Sequence, residues 1–334
     1  MKNPEMLLEV KNLSVGIRKK NEYLNAVEDI SFSMKQGEIL GIVGESGSGK
    51  TLTALSIPSL LGDNKKVMGG SIVFSGRNLL GLSEKELSLL RGKEISMIFQ
   101  EPFSSLNPLM KAGAQIGETL LLHGEKDRNA NKTRITELMK RLRFREPEKI
   151  LDAYPHRLSG GMCQRVMIAL AVICGPKLLI ADEPTTALDQ DTQSEILSLL
   201  KEINRDMGTS ILIISHDLEL IKNIAHRTIV IYSGRILEEG GTDEVLVNPA
   251  HEYSKGLLNS IPRRAAKGKD LKAIPGKIPS LEEGHPRGCP FHPRCEKALP
   301  VCGEKFPEEI RVSPTHISHC ILEGEKHKGA LLDE

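Results

Sequence analysis

Glu38-Ile39-Leu40-Gly41-Ile42-Val43-Gly44-Glu45-Ser46-Gly47-Ser48-Gly49-Lys50-Thr51 decides the fold. An apolar run of strand length enters a glycine-rich turn, and Thr51-Leu52-Thr53-Ala54-Leu55-Ser56-Ile57 continues as a helix. Residues 44–51 match G-x-x-x-x-G-K-[ST] in full, in the strand-then-helix setting that makes the match specific. The glycines let the backbone curl so that its N–H groups point inward at phosphate oxygens, and the helix N-terminus adds partial positive charge. Lys50 is placed to reach the outer phosphates and Thr51 to hold Mg²⁺. Pro58 should end or kink the helix that follows.

Outward from this stretch, short apolar runs alternate with helical patterns, the signature of a parallel α/β sheet. Strands are expected at Ile39–Val43, Ile95–Phe99, Leu178–Ala181, Ile211–Ile214 and Thr228–Tyr232. Ser83-Glu84-Lys85-Glu86 reads as a capping box. Ile135, Leu138, Met139 and Leu142 recur at helical spacing, as do Ile196, Leu199, Leu200 and Ile203 ahead of Gly208. Residues 101–157 show helical patterns and Pro breaks without a convincing strand, which suggests a helical insertion. Residues 263–272 form a basic linker, and 273–334 are rich in Pro, Gly, His and Cys.

Four polar groups emerge where such strands end. Leu178–Ala181 runs into Asp182, suited to Mg²⁺, and Glu183, suited to orienting or deprotonating an attacking water. Gln100 follows the strand at 95–99, and His216 follows Ile211–Ile214. Open α/β folds bind ligands at this carboxyl edge. A second anion site is suggested by Leu158-Ser159-Gly160-Gly161-Met162 ahead of a helical run at Cys163–Cys174, with Ser159 as N-cap and two glycines baring backbone amides.

The bulk properties fit. The chain has 334 residues, with 45 Lys and Arg against 44 Asp and Glu, a formal charge of +1, which argues against a dominant nucleic-acid surface. The apolar run Val166–Cys174, at nine residues, is far short of the ~20 that a membrane-spanning helix requires. The N-terminus lacks a positive-then-apolar signal pattern, so export is not expected.

In order along residues 5–260, GESGSGKT, the Gln of IFQEP, LSGGM, LLIADEP, Ala187-Leu188-Asp189 and His216 resemble the motifs of the ATP-binding cassette (ABC) ATPases. The resemblance implies an α/β P-loop NTPase cassette: a RecA-like parallel sheet with antiparallel N-terminal strands and a helical subdomain. It divides the chain into an ATPase core at 1–100 and 158–260, a helical subdomain at 101–157 and a Cys-rich region at 261–334. ATP would be held by Gly44, Glu45, Ser46, Gly47, Ser48, Gly49, Lys50, Thr51, Gln100 and Asp182, with Mg²⁺ on Thr51, Gln100 and Asp182. Tyr23 is the candidate for stacking on adenine. Glu183 would be the catalytic carboxylate and His216 the γ-phosphate contact. Cassettes of this family pair head to tail, so Ser159, Gly160, Gly161, Met162 and Asp189 would serve ATP on a partner subunit.

LSGGM in place of LSGGQ, IFQEPFSSLNP, NPAHEYSKGLL and the Cys-rich tail are similar to the oligopeptide/dipeptide (and nickel) importer branch. One departure is Cys163, where that branch usually carries Arg; the missing charge could weaken phosphate contacts at the signature. The resemblance implies ATP-driven import of dipeptides or oligopeptides with a second, homologous ATPase subunit in a heterodimer. Two membrane permease subunits and an extracytoplasmic solute-binding protein would complete the complex. The place of action would be the cytoplasmic face of the membrane, with the insertion 101–157 meeting the permeases and Gln100 as mechanical link. Nickel or another solute is an alternative cargo. A soluble cassette ATPase acting on nucleic acid or ribosomes is less favoured, because Lys50 and Asp182 lie only 132 residues apart and one cassette is present. A regulatory module without hydrolysis would require a damaged acid–base set, and Glu183 and His216 are intact.

Of six cysteines, four fall in the tail, at Cys289, Cys295, Cys302 and Cys320. Few apolar residues surround them, so a crosslink would help the segment hold a structure. Their spacing does not discriminate among disulfides, free thiols, Zn²⁺ with a spare His292, His316 or His319, and an iron–sulfur cluster. The branch resemblance implies a [4Fe–4S] cluster, with Zn²⁺ as the alternative.

Overall fold

The computed structural model describes residues 5–186, 188–261 and 274–324. Ala187 of the ALD segment and the basic linker at 263–272 therefore lie outside the described residues. The chain divides into two compact units: Met1–Met6, Lys35–Ile39 and Gly81–Ile214 form one, and Leu7–Met34, Leu40–Leu80 and Ser215–Glu334 the other.

The first unit is built on three parallel strands, Ile95–Ile98, Leu178–Asp182 and Ser210–Ser215, with Ile98 opposite Ala181 and Asp182 opposite Ile214. Leu178–Asp182 is buried throughout, which is why it reads as a continuous apolar run rather than an alternating one. The expected strand at 95–99 stops at Ile98, and Phe99 turns out to be 40% exposed. The stretch 101–157 carries helices Pro102–Ser105, Ala112–Leu122, Arg128–Arg141 and Pro147–Leu151 and a 3₁₀ turn at Pro155–Arg157. Ser83 caps Glu84–Leu90 in a complete capping box. Gln190–Met207 presents Ile196, Leu199, Leu200 and Ile203 to the core and ends at Gly208 in the left-handed conformation, the expected stop.

The second unit has an antiparallel sheet ordered Glu22–Lys35, Met6–Lys19, Lys65–Phe74, Arg77–Asn78. Leu8 faces Phe74 and Val10 faces Ile72, and the register slips between Lys11 and Val15. A second set of strands places Ile39–Val43 parallel to Arg227–Tyr232, followed antiparallel by Arg235–Gly241, Ile317–Ser318 and Ile310–Arg311. The Cys-rich segment thus joins the sheet that carries the glycine-rich loop. Helix Lys50–Ser56 ends just ahead of Pro58, as the sequence predicts.

Candidate functional site

The glycine-rich loop leaves Ile39–Val43, all five residues of which are buried, and enters helix Lys50–Ser56. Gly44 has φ +151°, and a Cβ there would lie 2.1 Å from the Ile231 carbonyl oxygen, so only glycine fits the close approach of loop and strand. Lys50 is buried, and its Nζ donates to the carbonyls of Gly44 (2.9 Å) and Glu45 (2.8 Å). The loop thereby curls around its own lysine, in the concave form that presents amides to an anion. The Glu45 N–H donates to the Tyr253 hydroxyl (2.9 Å), and the Gly234 N–H to the Ser48 carbonyl (2.8 Å). In the same unit, His216 is exposed beyond Ser210–Ser215, and Tyr23 is half-buried on Glu22–Lys35.

In the first unit, the end of Leu178–Asp182 carries the acidic pair. Asp182 is buried, whereas Glu183 adopts φ +47°, a left-handed conformation rare for a residue with a side chain. Its N–H still donates to the Ile214 carbonyl (2.9 Å), so the ladder continues to the point where the chain turns. The Glu183 carboxylate accepts from Gln100 Nε2 (3.2 Å) and from the Thr186 hydroxyl (2.9 Å). Gln100 and Glu183, 83 residues apart, are thus brought together, and the acceptor oxygen is oriented by two neutral donors.

The signature segment lies in this unit too. Ser159 caps its helix by accepting from the Met162 N–H (3.3 Å), and the helix runs Gly160–Val172, not 163–174 as expected. Both glycines therefore occupy the first turn, where backbone N–H groups have no intrahelical acceptor. A Cβ at Gly161 would meet Thr192 Cγ2 at 2.8 Å. Thr192 is in turn held by Asp189, which accepts from its N–H (2.9 Å) and hydroxyl (2.8 Å) and so caps Gln190–Met207. These hydrogen bonds hold the Asp189 carboxyl below the usual carboxylate range. Cys163 points away from this surface: it is fully buried, its Sγ lies 3.5 Å from the Pro155 carbonyl, and burial pushes its thiol up.

The four tail cysteines belong to the second unit, where Cys289, Cys302 and Cys320 are buried, and all six cysteines are free thiols. Burial pushes the Cys289 thiol up to about 12, and the charges of Cys320, Cys302 and Cys295 add to it, against a hydrogen bond from the backbone of Phe291. The Cys289 N–H donates to the Cys302 carbonyl (2.8 Å), and a Cβ at Gly288 would collide with that oxygen. Among the described residues no group of three or more His, Cys, Asp or Glu is arranged to hold a metal ion. The spare histidines point elsewhere. His316 meets the buried Glu238 (2.7 Å), His319 lies against the Pro307 carbonyl (3.0 Å), and His292 against that of Cys289 (2.9 Å). His251, 38 residues upstream, is a neighbour that no local pattern announces; its Nε2 lies 3.8 Å from Cys289 Sγ.

Comparison with known proteins decides the family. The chain is 45% identical over 316 residues to the oligopeptide transport ATP-binding protein OppD of Escherichia coli, covering 95% of this chain and 93% of that one. Residues 27–186 match the ABC transporter family. The chain belongs to the ABC transporter ATP-binding proteins. This ABC ATPase also matches, over residues 237–302, the C-terminal region of oligopeptide/dipeptide transporters. It is 41% identical over 329 residues to the dipeptide transport ATP-binding protein DppD of Bacillus subtilis, with 98% of both chains covered. Among solved structures it resembles the dimeric bacterial ABC transporter cassette MJ0796, with a TM-score of 0.64 and 28% identity over 71% of this chain and 99% of that one. Among the described residues, no helix of this ATPase is long and apolar enough to cross a membrane.

Proposed function

We propose that this ABC ATPase hydrolyses ATP to energise import of oligopeptides or dipeptides through a membrane complex. The observation that carries the cargo is the joint match, along 95% of the chain, to a protein named for oligopeptide transport and, over 237–302, to the C-terminal region of that transporter class. On this reading the amides of Gly44–Gly49 and the Lys50 amine take the phosphates. Thr51, Gln100 and Asp182 offer oxygen donors of the kind Mg²⁺ takes, and Mg²⁺, when bound, offsets charge on the phosphates. Glu183 aligns the attacking water, held in place by Gln100 and Thr186. His216 contacts the γ-phosphate and Tyr23 stacks on adenine.

Ser159, Gly160, Gly161, Met162 and Asp189 serve ATP bound by a partner cassette, a role supported by the exposure of Ser159 and Met162 and the half-buried Gly160 and Gly161 in the first turn of Gly160–Val172. The partner is a second, homologous ATPase subunit. Two permease subunits and an extracytoplasmic solute-binding protein complete the assembly at the cytoplasmic face of the membrane. For the tail, the proposed ligands of a [4Fe–4S] cluster are Cys289, Cys295, Cys302 and Cys320. What supports this ligand set is that Cys289, Cys302 and Cys320 are buried and that the Cys289 N–H donates to the Cys302 carbonyl (2.8 Å). Four thiolates are the donor set such a cluster takes, and bound iron would lower the thiols' proton affinity.

The test of the cargo is reconstitution of the chain with its permeases in vesicles. Peptide-loaded binding protein is expected to stimulate ATP hydrolysis. Stimulation by a nickel-loaded binding protein alone would replace peptide with metal as the cargo.

A further inference from the structure

Glu45 is an oddity in its setting. It places a carboxylate inside the loop that must receive a polyanionic triphosphate, where an uncompensated negative charge opposes binding. The structure answers that charge from the far end of the chain. Arg294, between Cys289 and Cys295, has a side chain only 6% exposed, and its Nη1 donates to both Glu45 carboxylate oxygens, at 3.1 and 3.0 Å. The same nitrogen reaches the Tyr232 hydroxyl (3.2 Å), while Nε donates to the Pro275 carbonyl (2.7 Å). The guanidinium is therefore held at two points besides Glu45.

A second contact fixes the backbone of the same residue. Tyr253, fully buried, accepts from the Glu45 N–H. Its ring packs against Tyr232 (centroids 4.7 Å apart) and Phe291 (5.2 Å), and Phe291 belongs to the same Cys-rich turn as Arg294. Main chain and side chain of one loop residue are thus pinned, the first by helix Glu252–Asn259 and the second by the tail. With Glu45 drawn to Arg294, its carbonyl remains available to Lys50 Nζ.

We propose that Arg294, supported by Tyr253, is a positioning residue for nucleotide binding: it neutralises Glu45 and holds the phosphate loop open to ATP, so that the Cys-rich region sets the chain's affinity for nucleotide. The proposal rests on the reading of Gly44–Thr51 as the ATP loop. It predicts coupling between folding of the tail and occupancy of that loop, through residues 249 positions apart.

The test titrates a non-hydrolysable ATP analogue into the full-length chain by calorimetry and compares Arg294→Ala, Arg294→Lys and the double variant Arg294→Ala/Glu45→Gln. Arg294→Ala is expected to weaken binding on the order of tenfold, a discounted figure because Glu45 is partly exposed to solvent. Arg294→Lys, which keeps the charge and loses the fork, falls between, and it carries the comparison if the alanine variant does not fold. The double variant regains most of the lost affinity, because the carboxylate that opposed the phosphates is gone. In steady-state hydrolysis, KM for ATP rises more than kcat falls. Binding by Arg294→Ala at wild-type strength would overturn the proposal, as would a double variant as weak as the single one, since a purely structural role gives no rescue. Loss of binding in Lys50→Ala checks the loop assignment separately, so failure of one reading is distinguishable from failure of the other.

Discussion

Replacing Gly44 by Ala tests how tightly the phosphate loop is built into the sheet. The residue sits at φ +151°, in a region that side-chain-bearing residues reach at a cost of about 1–3 kcal/mol. The added Cβ would fall 2.1 Å from the Ile231 carbonyl oxygen. Ile231 lies in Arg227–Tyr232, which is paired on one side with Ile39–Val43 and on the other with Arg235–Gly241, so the strand cannot yield easily. The loop must move instead, and overpacking of this kind adds about 1–3 kcal/mol. The expected loss of stability is therefore about 2–6 kcal/mol. Gly47 is the control: φ is +80°, a Cβ there meets nothing within 4 Å, and the cost is conformational alone, about 1–2 kcal/mol. Urea unfolding without nucleotide reads both variants, and ATP titration of Gly44→Ala should then show a large loss, because a displacement near 1 Å can cost about 100-fold in function. If Gly44→Ala is no less stable than Gly47→Ala, the close approach of loop and strand is not what requires glycine.

Two further outcomes follow from the other motifs. Ser159→Ala removes the acceptor for the Met162 N–H and should cost about 1 kcal/mol in unfolding experiments, with a fall in hydrolysis of the assembled complex that the isolated chain does not share. Chain purified without oxygen should contain iron and labile sulfide, both lost in Cys289→Ser; stoichiometric zinc would overturn the cluster assignment.

Much of the fold around the glycine-rich loop was legible because its signals are local. A buried parallel strand is a short apolar run, a phosphate loop is a spacing of glycines, and the Ser83 capping box lies within one helical turn. The helix at the signature began three residues earlier than expected, because Gly160 and Gly161 read as loop yet occupy its first turn. Arg235–Gly241 went unread for a related reason. Its Glu238-Glu239-Gly240-Gly241 looks like a polar turn, but Glu238 is fully buried and accepts from the backbone of Ala250 (2.6 Å) and His251 (3.0 Å) and meets His316. A buried carboxylate becomes tolerable only through partners distant in sequence, and no local pattern announces them. The Arg294–Glu45 pair was hidden in the same way.

The most direct measurement of the central claim is steady-state hydrolysis and ATP retention by Glu183→Gln. The amide cannot act as the carboxylate that Gln100 and Thr186 hold in place. The variant is expected to bind ATP and keep it while hydrolysis falls by about 100-fold or more, the scale of a lost general base. Turnover at the wild-type rate would contradict the account.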